Sequence, residues 1–161
     1  IGTGDEFGTC DGIINVGADT TASQGTIVDP GSSAGDKGVW TELTASSSAD
    51  MDWIGVFVGP NGNTVDADAY QLVDIGIGAD TFETVAIPDL QVRSTASEVS
   101  GVWHWVRHTI PSGSRITARA ETNITDATDR KMDVSMIGCN MTAPAGAGGI
   151  MMPRSRMMLP I

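Results

Sequence analysis

From Thr26 to Asn140 no stretch of eleven or more residues carries an apolar stripe at helical spacing with caps. Short β-branched or alternating runs recur there instead, separated by Gly, Pro, Asn and Asp. That punctuation demands an all-β fold of many short strands. Eight are predicted, at Thr26-Val28, Val39-Ala45, Trp53-Val58, Tyr70-Ile77, Phe82-Ile87, Val102-Ile110, Arg115-Glu121 and Met132-Cys139. Gly59-Pro60-Asn61-Gly62-Asn63 and Pro111-Ser112-Gly113 supply residues that accept positive φ or pre-set a turn. In Ile116-Thr117-Ala118-Arg119-Ala120-Glu121 small and apolar side chains hold one parity and polar ones the other, as in a half-buried antiparallel strand. Any helix is confined to one turn, near Ala49-Met51 or Ala67-Ala69. Strands this short, with only 5% aromatic residues, favour a thin filled core. The expected architecture is an antiparallel two-sheet sandwich or jelly roll of about eight strands, the jelly roll preferred, rather than a closed ligand barrel.

At 161 residues the chain suits one such core with appendages. Residues 1–25 read as an extended arm holding at most one short strand, from the apolar patch Ile13, Ile14 and Val16. Residues 26–142 read as the sandwich domain and 143–161 as an extended C-terminal arm. The opening Ile1-Gly2-Thr3 lacks an initiating Met, as a processed or incomplete start would. A net charge of −11 repels phosphate backbones and anionic lipid, so neither nucleic acid nor membrane is an expected partner. No run of about 18 apolar residues suits a membrane span.

The C-terminal arm differs in kind. Past a small-residue run, Ala143 to Gly149, it carries Ile150, Met151, Met152, Arg154, Arg156, Met157, Met158, Leu159 and Ile161, with no acid. Without those two arginines the charge of −11 becomes −13, so the arm opposes its own body in sign. Extended, it would reach about 60 Å, far enough to lie on a neighbouring molecule. Its seven large apolar side chains would contribute on the order of 10 to 20 kcal/mol if buried, before the cost of ordering the chain. These residues are the candidate subunit contacts.

The reactive residues give little chemistry. Cys10 and Cys139 match no disulfide framework and no zinc spacing, so two free thiols are expected, with a bridge from the N-terminal segment to a late strand as the alternative. Gly31-Ser32-Ser33-Ala34-Gly35 spells a nucleophile elbow, but Asp29-Pro30 before it and Asp36-Lys37-Gly38 after it make a loop where strand and helix are required. His104 and His108 would stand roughly 13 Å apart on a strand, too far to share one ion. Asp50 with Asp52, Asp66 with Asp68, and Asp126 with Asp129 are hard-oxygen pairs, more simply read as turn initiators. Glu42, Glu83 and Glu121 show no local sign of a paired-acid cleft, and Asn123-Ile124-Thr125 and Asn140-Met141-Thr142 are sequons of the kind chance supplies. Trp103 and Trp105 share one strand parity with Arg107. That face is either a packed interface, the commoner outcome, or an aromatic ledge of the sort on which sugars stack, with Trp40 a third candidate. No cofactor, metal or catalytic residue is expected.

Val28-Asp29-Pro30-Gly31-Ser32-Ser33-Ala34 and Lys37-Gly38-Val39-Trp40-Thr41-Glu42-Leu43-Thr44-Ala45-Ser46 resemble a recurring pattern of small virion proteins of tailed bacteriophages. So do Leu72-Val73-Asp74-Ile75-Gly76-Ile77-Gly78-Ala79 and Ile110 to Ala120. The resemblance spans about residues 27 to 138 and implies a β-sandwich auxiliary structural protein without enzyme activity. It implies a virion location after assembly in the host cytoplasm, with copies of itself and capsid, neck or tail subunits as partners. Capsid decoration or cement is the first expectation. A carbohydrate- or receptor-binding module of a tail fibre, neck or host-adhesion device is the alternative.

Overall fold

The computed structural model describes residues 9–17, 24–61, 69–94, 101–126 and 130–142. Nine strands carry the described fold: β1 (Thr9–Val16), β2 (Thr26–Val28), β3 (Thr41–Thr44), β4 (Met51–Pro60), β5 (Ala69–Ile77), β6 (Thr84–Ser94), β7 (Val102–Ile110), β8 (Ile116–Thr122) and β9 (Met132–Thr142). Their antiparallel pairing is nested, β5 with β6, β4 with β7, β3 with β8 and β2 with β9. This is one long hairpin, β2 to β5 running out and β6 to β9 running back, wrapped so that its pairs alternate between two sheets. The sheets have the orders β9-β4-β7, edged by β2, and β3-β8-β5-β6. The jelly roll expected from the punctuation is thus the observed topology.

The sandwich closes over one apolar layer. Ile54, Val56 and Val58 of β4 with Val134 and Met136 of β9 meet Val73 and Ile75 of β5 and Ile116, Ala118 and Ala120 of β8. Each large aliphatic side chain buried this way contributes about 1.5 to 3 kcal/mol. The parity read from Ile116 to Glu121 holds for Ile116, Ala118 and Ala120 inward and Arg119 and Glu121 outward, but Thr117, expected on the wet side, is fully buried, its hydroxyl donating to Gly76 O. The β7–β8 turn forms where Pro111 and Gly113 require it. Ser114 N–H donates to Pro111 O, and Gly113 takes φ 81°, a left-handed conformation that favours glycine.

Three expectations need correction. The N-terminal residues hold more than a short strand, because β1 is eight residues long and pairs with the C-terminal half of β9, end to end with β2. Val16 and Ile14 pack on the core side, which gives β1 an apolar face to bury. Cys10 and Cys139 are not free thiols: they form a disulfide that ties β1 to β9, 129 residues away. No helical turn forms at Ala49–Met51, where Met51 opens β4 as a fully buried core residue. Ala67 lies outside the described residues, as do Asp66, Asp68, Asp129 and every arm residue from Ile150 to Ile161.

Candidate functional site

The sheet containing β9, β4 and β7 turns one face to the core and the other outward. Register aligns the outward side chains in rows across the strands. Trp103 of β7 lies opposite Phe57 of β4, which lies opposite Ser135 of β9. The next row runs Trp105, Gly55, Ile137, Asn15, and the next Arg107, Trp53, Cys139, Ile13. Ile27 of β2 faces the same way, opposite Asp133.

Five large apolar side chains stand exposed on this face: Ile13 (70%), Ile27 (48%), Trp53 (42%), Trp103 (44%) and Trp105 (53%). Charge is sparse among the described residues of the face: Arg107 and Asp133 lie on it, and Asp52 borders it beside Thr109 and Arg107. Asp133 is sealed, accepting hydrogen bonds from Gln24 N–H at 3.0 Å and from Asn61 Nδ2 at 2.6 Å. On a chain with twenty acidic residues, a surface this aromatic and sparsely charged is a departure.

The rings are placed by glycines. A Cβ on Gly55 would come within 2.9 Å of the Trp105 six-membered ring, so the missing side chain is what lets that ring lie over the strand. Phe57 occupies the corresponding space at Gly59 and Gly101, where a Cβ would meet its ring. Trp103 and Trp105 sit 5.9 Å apart between centroids with planes inclined by 21°, and Phe57 backs Trp103 at 5.5 Å and 56°. The result is a near-parallel pair of indoles, steadied from below. Beside it an open cleft of about 560 Å³ runs from Trp103 and Phe57 past Ser135 and Ile137 to Asn15 and Gln24.

Of the three predicted tryptophans the structure brings together Trp103 and Trp105 and sets Trp40 apart. Trp40 covers the outer face of the other sheet. Its ring fills the space above Gly76, where a Cβ would meet it at 2.7 Å, and the Arg119 guanidinium lies 4.5 Å from its centroid. Trp53 and Phe57 belong to the exposed face and were absent from the prediction. Their signal was available, since both hold the parity opposite to Ile54, Val56 and Val58.

The remaining candidates fall into structural roles. Asp50 Oδ1 accepts from Ser112 N–H at 2.6 Å, and Asp52 Oδ1 from the Thr109 hydroxyl at 2.9 Å, each tying β4 to the end of β7. Glu42 and Glu83 both receive Arg115 at 2.7 Å. Ser33 lies in the loop between β2 and β3, with Gly31 and Gly35 in left-handed conformations and Gly35 N–H bonded to Thr122 O. His104 and His108 share the inward parity of β7, and His104 Nε2 is buried with no hydrogen-bond partner. Among the described residues no group of three potential metal ligands converges.

No protein-family model matches the chain, and no curated protein matches it. Among solved structures, a native family 35 carbohydrate binding module from Clostridium thermocellum aligns at TM-score 0.40 and 13% identity, covering 81% of this chain and 95% of that one. The Clostridium thermocellum N-terminal endo-1,4-β-D-xylanase 10B CBM22-1-GH10 modules, complexed with xylohexaose, align at TM-score 0.36 and 16% identity, covering 84% of this chain and 27% of that one.

Proposed function

We propose that this chain is a non-enzymatic binding component of a tailed-phage particle, and that it takes carbohydrate on the outer face of the β9-β4-β7 sheet. The observation that carries the reading is the pair Trp103 and Trp105, near-parallel, exposed and held over Gly55. An indole face offers a rigid apolar plane to the C–H face of a sugar ring, and an aromatic side chain with two rotatable bonds has little freedom to lose on association. The particle context rests on the motifs between residues 27 and 138. A glycan array run with and without chelator tests the binding. Saturable binding that survives chelation and is abolished by Trp105→Ala is expected, and silence with every glycan overturns it.

A second reading, capsid decoration or cement, is favoured by a separate observation. Ile13 and Ile27 extend the apolar face beyond the tryptophans to the opposite edge of the sheet, and neither has a polar group to meet a sugar hydroxyl. A neighbouring subunit covers such a surface well, and arm residues Ile150 to Ile161 would add contacts of their own. Stabilisation would then come from mass action on the assembled state, with no chemical step. Deleting residues 143–161 should leave a folded protein that no longer joins particles. Incorporation of the truncated protein at the normal level would overturn this second reading.

A further inference from the structure

The ledge alone gives a plane without selectivity. The cleft beside it has the polar groups that the ledge lacks. Asn15 projects from the end of β1 and Ser135 from β9, both on the outward parity, and among the described residues no hydrogen bond engages either side chain. Gln24, just ahead of β2, lines the same cleft, and its backbone N–H is held by Asp133 Oδ2. Phe57 and Trp103 form the apolar wall.

We infer that this cleft is a binding site for a neutral saccharide, with Asn15, Gln24 and Ser135 as its hydroxyl-reading residues. The inference rests on the carbohydrate reading proposed above and narrows it. Three properties set the ligand class. Among the described residues none that lines the cleft is charged, so these side chains offer no partner to hold a phosphate, a carboxylate or an ammonium. The nearest charge among the described residues of the face is the Asp133 carboxylate, two positions along β9 from Ser135. It is sealed from water and negative, and so opposes an anionic ligand further, as does the charge of −11. Two carboxamides and a hydroxyl provide both donors and acceptors, which is what adjacent sugar hydroxyls require.

The dimensions agree. From Trp103 on β7 to β1 the sheet crosses three inter-strand spacings, about 14 Å, which accommodates a disaccharide lying across the strands. One ring would rest on the indole wall and the next among the amides.

The test is a titration of wild-type protein with neutral trisaccharides (cellotriose, maltotriose, chitotriose) and acidic ones (trigalacturonate, 3′-sialyllactose), following tryptophan fluorescence, repeated on Asn15→Ala, Ser135→Ala and Trp105→Ala. Denaturation midpoints for each variant confirm folding, which the exposed position of Asn15 should leave intact. At least one neutral trisaccharide is expected to bind, with affinity lowered tenfold or more by Asn15→Ala and by Ser135→Ala, and no acidic one. Preference for an acidic trisaccharide overturns the neutral class and leaves the carbohydrate reading standing. Neutral binding lost in Trp105→Ala but unchanged in Asn15→Ala and Ser135→Ala overturns the cleft and keeps the ledge. Binding of none of the five overturns both.

Discussion

The two outer faces of the sandwich are made from the same kind of strand and finished in opposite ways. On the β3-β8-β5-β6 sheet the outward face is built around paired charges, with Tyr70 and Val85 the large apolar side chains left exposed on its described strands. Asp74 receives Lys37 at 3.1 Å, Arg119 at 3.0 Å and the Asp89 amide at 3.0 Å, and the loop between β2 and β3 brings Lys37 and Trp40 down as a cover. At the sheet's other end Arg115 gathers Glu42 and Glu83. Among the described residues the β9-β4-β7 face has no such cover and little charge. An unmet requirement on one side of a molecule that satisfies it on the other points to a partner, since the same chain plainly has the means to seal a sheet.

The faces should therefore fail differently when perturbed, and the largest effect is expected where the bare face is stapled. β1, its edge strand, reaches the core through Ile14 and Val16, and the bridge from Cys10 to Cys139 closes a loop that spans most of the chain. Replacing both cysteines by serine should cost about 4 kcal/mol in chemical denaturation. An unchanged midpoint would mean that β1 contributes nothing to the stability of the sandwich.

Next comes the sealed face. Asp74→Ala removes the carboxylate that Lys37 and Arg119 share, leaving Lys37 with Asp89 and Arg119 against Trp40, and should cost about 2 kcal/mol. The same carboxylate sets the acid limit. Burial pushes its pKa up, but the Asp89 amide, Lys37 and Arg119 together outweigh that, and the group lies below the usual carboxylate range. Asp29, paired with Arg130, lies low for the same reason, as does Glu83 with Arg115. Folding holds these groups ionised, so their contribution is complete above about pH 5 and drains away as pH falls through the folded values. Lys37 has the opposite sign. Burial lowers its pKa, Asp89 and Asp74 raise it more, and its share is lost only as pH rises past the ordinary lysine range. Stability should be flat from pH 5 to pH 9 and fall steeply below pH 4, with a shallower fall in Asp74→Ala. An identical acid limb in that variant would show that Asp74 is not the group titrating.

Much of this contrast was legible before any coordinates. The strands Thr26–Val28 and Val102–Ile110 fall at their predicted ends, and nesting of the pairs follows the jelly roll expected from turn spacing. Trp103 and Trp105 on one parity follow from the same alternation. What could not be read depends on partners distant in sequence. β1 is short in apolar residues and gains its place only from β9, and the cysteine spacing carries no information on pairing. Trp40 looks like its fellow tryptophans in sequence, yet only the approach of Gly76 and Arg119 turns it into a cover. Asn15, Gln24 and Ser135 are ordinary polar residues until the β1–β9 register sets them along one cleft.

The smallest change is also the most discriminating. Gly55→Ala places a Cβ 2.9 Å from the Trp105 ring, at the far end of a side chain that can swing aside. The strand backbone and the core side of β4 are untouched, so the stability cost should stay below about 1 kcal/mol. The indole, however, must tilt away from Trp103, and the near-parallel plane is lost. If that plane is what ligands meet, saccharide affinity should fall several-fold with the denaturation midpoint unmoved. If the face instead packs against a protein subunit, an interface that can repack around one displaced ring should absorb the change, and particle incorporation should continue. Affinity and incorporation measured on this one variant therefore separate a sugar platform from a subunit contact.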